Sequence, residues 1–65
     1  MARTNVGDMP PEAMRKEIFH ALVDAQDQRM GVAQSIRWIA ERYGVSEEQV
    51  RLIESEGLEA EWPPL

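Results

Sequence analysis

The stretch "IRWIAERYGVSEEQVRLIES", residues 36–55, decides how this chain folds. Ile36, Ile39, Ala40 and Tyr43, with Val32 one turn earlier, recur at the 3.6-residue period of an amphipathic helix. Gly44 follows, where a helix commonly ends in a left-handed residue that glycine adopts without strain. Ser46 and Gln49 form an S-x-x-Q capping box: each side chain satisfies a backbone N–H of the other residue, so a new helix begins here. A short turn holding two helices at a steep angle needs a small residue where the axes approach, a residue free to take positive φ, and apolar anchors on the second helix. Ala40, Gly44, Val50 and Ile53 meet those needs at the right mutual spacing, with Val45 plugging the turn. The reading is a helix-turn-helix.

Working outward, "PP" at 10–11 opens an earlier helix. Pro11 holds Pro10 out of the α region and itself suits the first helical position, where its missing N–H is harmless. This helix is expected over 11–29, with Met14, Ile18, Ala21, Leu22 and Ala25 as its apolar stripe. Phe19 and Val23 fall on the flank, where they widen the face offered to two neighbours or form a dimer or partner surface. Gly31 breaks the pattern, and the second helix is expected over 33–43. At the far end Gly57 is expected just past the third helix, with Leu58 beside it touching Ile53. "EAEWPPL", residues 59–65, reads as an extended, proline-containing tail. Trp62 either folds back to cap the core or joins Pro63 and Pro64 as a ligand for an aromatic groove. Residues 1–9 are polar and aperiodic and read as a loose arm.

The expectation is therefore an all-α fold: a three-helix bundle over residues 10–58, arm before and tail after. Its core is expected to hold Met14, Ile18, Leu22, Ala25, Ile36, Ile39, Ala40, Tyr43, Val45, Val50 and Ile53, with Leu58 and Trp62 at one edge. A chain of 65 residues buries only about 60% of its unfolded surface, so packing must be economical. There is no cysteine to supply a disulfide or thiolate ligand, which fits a reducing, cytoplasmic setting. The first residues carry no apolar run like that of a signal peptide, and nothing approaches the roughly 18 apolar residues of a membrane span.

Few routes to chemistry are open. His20 is the single histidine. No serine has a histidine at helical spacing to make a nucleophile pair, and there is no glycine-rich phosphate loop. No catalytic, cofactor or metal residue is assigned, and no enzyme is expected. Charge is more informative. Residues 1–43 carry six bases and six acids, whereas residues 44–65 carry six acids against Arg51 alone, which accounts for the whole formal charge of −5. Such asymmetry speaks to partners, and here it disfavours polyanions at the C-terminal end.

"VSEEQVRLIESEGL", residues 45–58, resembles region 4 of sigma-70-family RNA polymerase sigma factors. The likeness spans residues 32–58 and is close over 45–58, where Val45, Ser46, Glu48, Val50, Arg51, Ile53, Glu54 and Leu58 agree in type with the family. It implies a transcription-linked ancestry and a third helix that, in the family, enters the DNA major groove. The departures sit on that helix. Glu47 stands where the family usually carries arginine and Leu52 where it carries glutamine, both of which help to read the promoter. Of the groove-facing positions, Glu48 and Arg51 keep the family's type. The basic residues that follow the helix in the family are replaced by Glu56, Gly57, Glu59, Glu61 and Trp62. Phosphate neutralisation supplies most non-specific affinity for DNA, and these exchanges remove it.

The candidate recognition surface is thus Glu47, Glu48, Arg51, Leu52 and Ser55, with Arg37, Trp38, Phe19, Val23 and Trp62 as further interface candidates. Glu47 and Glu48 also stabilise a helix N-terminus through its dipole, and Arg51 is placed to pair with either at i−4 or i−3. The favoured reading is a protein-binding adaptor or transcription-linked regulator whose partner is a basic or transcription-machinery surface. One alternative is a DNA-binding regulator, dimeric through helix 1, with Arg3, Arg37, Arg42 and Arg51 supplying positive charge. Another is a small subunit of a larger assembly.

Overall fold

A computed structural model describes residues 9–64. The expected arm, apart from Met9, and Leu65 lie outside the described residues. The chain forms three helices, α1 (Glu12–Asp27), α2 (Val32–Tyr43) and α3 (Glu47–Ala60), with no strand among the described residues. Each helix packs on both others, so the all-α reading holds. Pro11 lies one position outside α1 rather than at its first residue. It is extended, with φ −57° and ψ 159°, and its carbonyl accepts the Arg15 N–H at 2.9 Å.

The core is Ile18, Phe19, Leu22, Ala25, Ile36, Ile39, Ala40, Val50, Ile53 and Trp62. Full burial of side chains of this size stabilises by roughly 1.5–3 kcal/mol each. Tyr43 and Val45 are partly buried against this cluster. Ser35 is also interior: its hydroxyl donates to the Val32 carbonyl at 2.8 Å and accepts from Gln26 Nε2 at 3.2 Å, tying α2 to α1.

Four expectations are corrected. Met14 is 41% exposed. The interior register of α1 runs through 15, 18, 22 and 25, so Arg15 takes the inward place at the start of the stripe. Phe19, expected on a flank, is fully buried. Gly57 does not end the third helix but lies within it, buried, because Phe19 needs the room. A Cβ at residue 57 would collide with Cγ, Cδ1 and Cε1 of the Phe19 ring. Leu58 in turn lies within the helix rather than just past its end, and is 54% exposed.

The expected helix-ending motif does occur, four residues later. Glu61 is left-handed at φ 56°, its N–H donates to the Leu58 carbonyl at 3.3 Å, and the Trp62 N–H donates to the Gly57 carbonyl at 2.9 Å. This is the paired pattern of the Schellman motif. It brings Trp62 down onto the core, where it is 8% exposed and meets Phe19 edge-to-face at 6.1 Å between ring centroids. Lys16 Nζ lies 5.7 Å from the Trp62 ring centroid. The same pattern ends α1, with Arg29 left-handed at φ 71° and the Met30 N–H on the Ala25 carbonyl at 3.3 Å. It recurs at α2, with Gly44 at φ 70° and the Val45 N–H on the Ala40 carbonyl at 3.1 Å.

Candidate interaction surface

The capping box sets the start of α3 and so fixes which side chains face outward. The Gln49 N–H donates to Ser46 Oγ and the Ser46 N–H donates to Gln49 Oε1, both at 3.0 Å. From that start the interior takes Gln49, Val50, Ile53 and Gly57. Glu47, Glu48, Arg51, Leu52 and Ser55 are all exposed. Leu52 is 39% exposed, a large apolar side chain on an otherwise polar helical face.

The charged residues of α3 find fewer partners than the sequence suggests. Glu47 pairs with Arg37, across the α2–α3 turn, with Nε to Oε2 at 3.9 Å. Arg51 makes no ion pair among the described residues, so the expected i−4 or i−3 pairing on α3 is replaced by this looser contact between helices. Both Arg37 and Glu47 are well exposed, and a pair of that kind contributes little. Glu48 and Glu59 are exposed and make no ion pair among the described residues.

Arg15 was the largest omission. Its Nε donates to Glu56 Oε1 at 2.9 Å and its Nη2 to Glu56 Oε2 at 3.0 Å, a fork-on-carboxylate contact from α1 to α3. Its Nη1 donates to the Pro10 carbonyl at 2.8 Å. Hydrogen bonding to Glu56 is the main reason that its pKa rises above the usual arginine value; burial opposes the shift, and the charges of Glu56 and Glu12 add to it. The sequence carried one faint signal: residue 15 shares the 15-18-22-25 spacing with the buried positions, where a long cationic stem can lie along apolar surface. Arg15 and Glu56, with Met9 and Leu52, line a largely apolar cleft of about 320 Å³ between the start of α1 and α3.

The further candidates separate. Trp38 is 44% exposed on the outer side of α2, with the Arg42 guanidinium carbon 5.6 Å from its ring centroid. Phe19 and Trp62 are interior, which removes both from any outward surface, and Val23 is half-buried against the core. Trp62 therefore takes the core-capping alternative rather than that of a free peptide ligand. His20 is exposed. Among the described residues no group of three or more His, Asp or Glu is placed to hold a metal ion, and no helix is long and apolar enough to cross a membrane. Comparison with protein-family models, curated proteins and solved structures finds no match to this chain.

Proposed function

We propose that the chain is a protein-binding helix-turn-helix module, an adaptor or transcription-linked regulator whose third helix presents an acidic, leucine-bearing face to a basic partner surface. Several local features support the helix-turn-helix part. Three residues connect α2 to α3, Gly44 is left-handed, Ala40 is buried, and Val50 and Ile53 are fully buried anchors. The observation that carries the functional reading is the composition of the exposed α3 face. Leu52 is flanked by Glu48 and Glu59, neither of which makes an ion pair among the described residues, and the neighbouring Arg15 has every nitrogen engaged within the protein. A groove-binding helix needs cations free to displace counterions from phosphate. Such a face instead repels a duplex, while exposed Leu52 and Trp38 offer apolar and aromatic anchors of the kind that dominate protein interfaces.

A second reading, a DNA-binding regulator, rests on Arg51, which is exposed, without an ion pair among the described residues, and on the helix that would enter the groove. Chromatography on heparin and on duplex DNA at low salt, beside affinity capture from the native cell, separates the two. The expected result is flow-through on both resins and capture of a protein that is lost with Leu52→Asp or Trp38→Ala. Installing the sigma-like residues with Glu47→Arg and Leu52→Gln should raise retention on the resins. Tight, specific binding of one duplex by the unaltered protein, weakening steeply with salt, would overturn the proposal in favour of the second reading.

A further inference from the structure

We infer that the cleft between the start of α1 and α3 is the anchor site for the partner, and that the partner presents there a single apolar side chain flanked on both sides by cations. This rests on the protein-binding reading and specifies the chemistry that the surface recognises. The cleft is lined by Met9, Arg15, Leu52 and Glu56 and, at about 320 Å³, has room for one large apolar side chain. Its two charged walls neutralise each other: the Arg15 guanidinium gives two hydrogen bonds to the Glu56 carboxylate and a third to the Pro10 carbonyl. The pair therefore leaves little net charge on the walls to favour a small anion or cation. Among the described residues, the lining offers an incoming group the methionine and leucine side chains and the carbon stems of Arg15 and Glu56, an apolar surface. The bond to Pro10 also holds the segment bearing Met9 in place, so the cleft is formed before a partner arrives.

Charge complementarity on the rim defines the flanks of that partner. Glu48 lies one turn before Leu52 on α3 and Glu59 two turns after it, both exposed and without an ion pair among the described residues. At 1.5 Å per residue they stand about 6 Å and about 10 Å from Leu52 along the axis. An extended segment rises about 3.3 Å per residue, so cations two and three residues from the apolar anchor reach them. Arg51, the one cation on α3, is turned about 100° around the helix from Leu52, beyond Glu48, and leaves the Leu52 side acidic.

The test is a titration of the full-length, nitrogen-15-labelled protein with the peptide Lys-Lys-Ala-Phe-Ala-Lys-Lys, followed by amide chemical shifts. Saturable shifts centred on Met9, Arg15, Leu52 and Glu56 are expected at about 1 mM peptide or below. Replacing the phenylalanine by alanine, or Leu52→Lys in the protein, should weaken binding on the order of tenfold or more. Glu48→Lys and Glu59→Lys should each weaken it about two- to threefold, an effect that added salt removes. Leu52, Glu48 and Glu59 are exposed, and the spectrum of each variant reports directly whether it is folded. Equal binding of the alanine peptide, or shifts centred on Trp38 and Arg42, would overturn the inference. An unchanged spectrum would also overturn it. If Leu52→Asp still abolished capture of a cellular protein in that case, the protein-binding reading would survive its loss. Specific duplex binding would remove both.

Discussion

The Phe19 ring approaches the backbone of α3 closely because residue 57 has no side chain. That contact makes two opposing predictions from one atom. In an open helix interior, alanine is more stable than glycine by about 0.5–1 kcal/mol. Here the added methyl meets a fully buried ring with no slack, and overpacking of this kind costs about 1–3 kcal/mol. Gly57→Ala should therefore lower stability by about 1–2 kcal/mol in denaturant unfolding. The same change in a Phe19→Leu background should be neutral or stabilising. A similar sign argument applies to the three left-handed residues that end the helices. An L side chain in that conformation costs roughly 1–2 kcal/mol, whereas glycine occupies it freely but adds about 0.4–1 kcal/mol of unfolded-state entropy. Arg29→Gly and Glu61→Gly should thus each gain up to about 1 kcal/mol, and Gly44→Ala should lose about 1 kcal/mol, as read from melting curves.

The helices differ in how far the sequence discloses them. The junction of α2 and α3 was legible throughout: the capping box, the left-handed Gly44 and the inward Ala40, Val50 and Ile53 are local features, visible in neighbouring letters. The ends of α1 and α3 use the same closing motif as α2, but with Arg29 and Glu61 at the left-handed position, so no glycine announced them. The one glycine near the end of α3 serves a neighbouring helix instead, a purpose that no local pattern records. The Arg15–Glu56 contact was hidden for the same reason, since its partners are 41 residues apart. Trp62 depends on all of this: extending α3 to Ala60 is what places it over Phe19. Because it is nine-tenths buried, Trp62→Ala should remove about 3–5 kcal/mol, a large share of what so short a chain can have. Fluorescence should report the asymmetry between the two tryptophans, with a blue-shifted Trp62 that moves red on unfolding and an exposed Trp38 that changes little.

Across the whole molecule, charge is distributed against the interest of stability alone. Carboxylates at the start of α3 suit the helix dipole, and Glu47 and Glu48 sit there. The last turn of the same helix carries no base, only Glu59 within it and Glu61 just beyond, where the partial negative charge of the free carbonyls opposes them. With the C-terminal third of the chain at −5 and the rest neutral, these carboxylates also repel one another. A chain shaped only by folding would place lysine there. Glu59→Lys should accordingly stabilise the free protein by about 0.3–1 kcal/mol at low ionic strength, with the gain shrinking as salt rises. The same substitution should weaken a cationic partner by taking one carboxylate from the rim of the Leu52 cleft. Thermal melts and peptide titrations on one sample would measure both effects, and their opposite signs are the expected mark of a surface kept for binding at some expense in stability. If Glu59→Lys stabilised the fold and left binding unchanged, the acidic end of α3 would have no part in recognition, and the partner's second cation would have to be sought elsewhere.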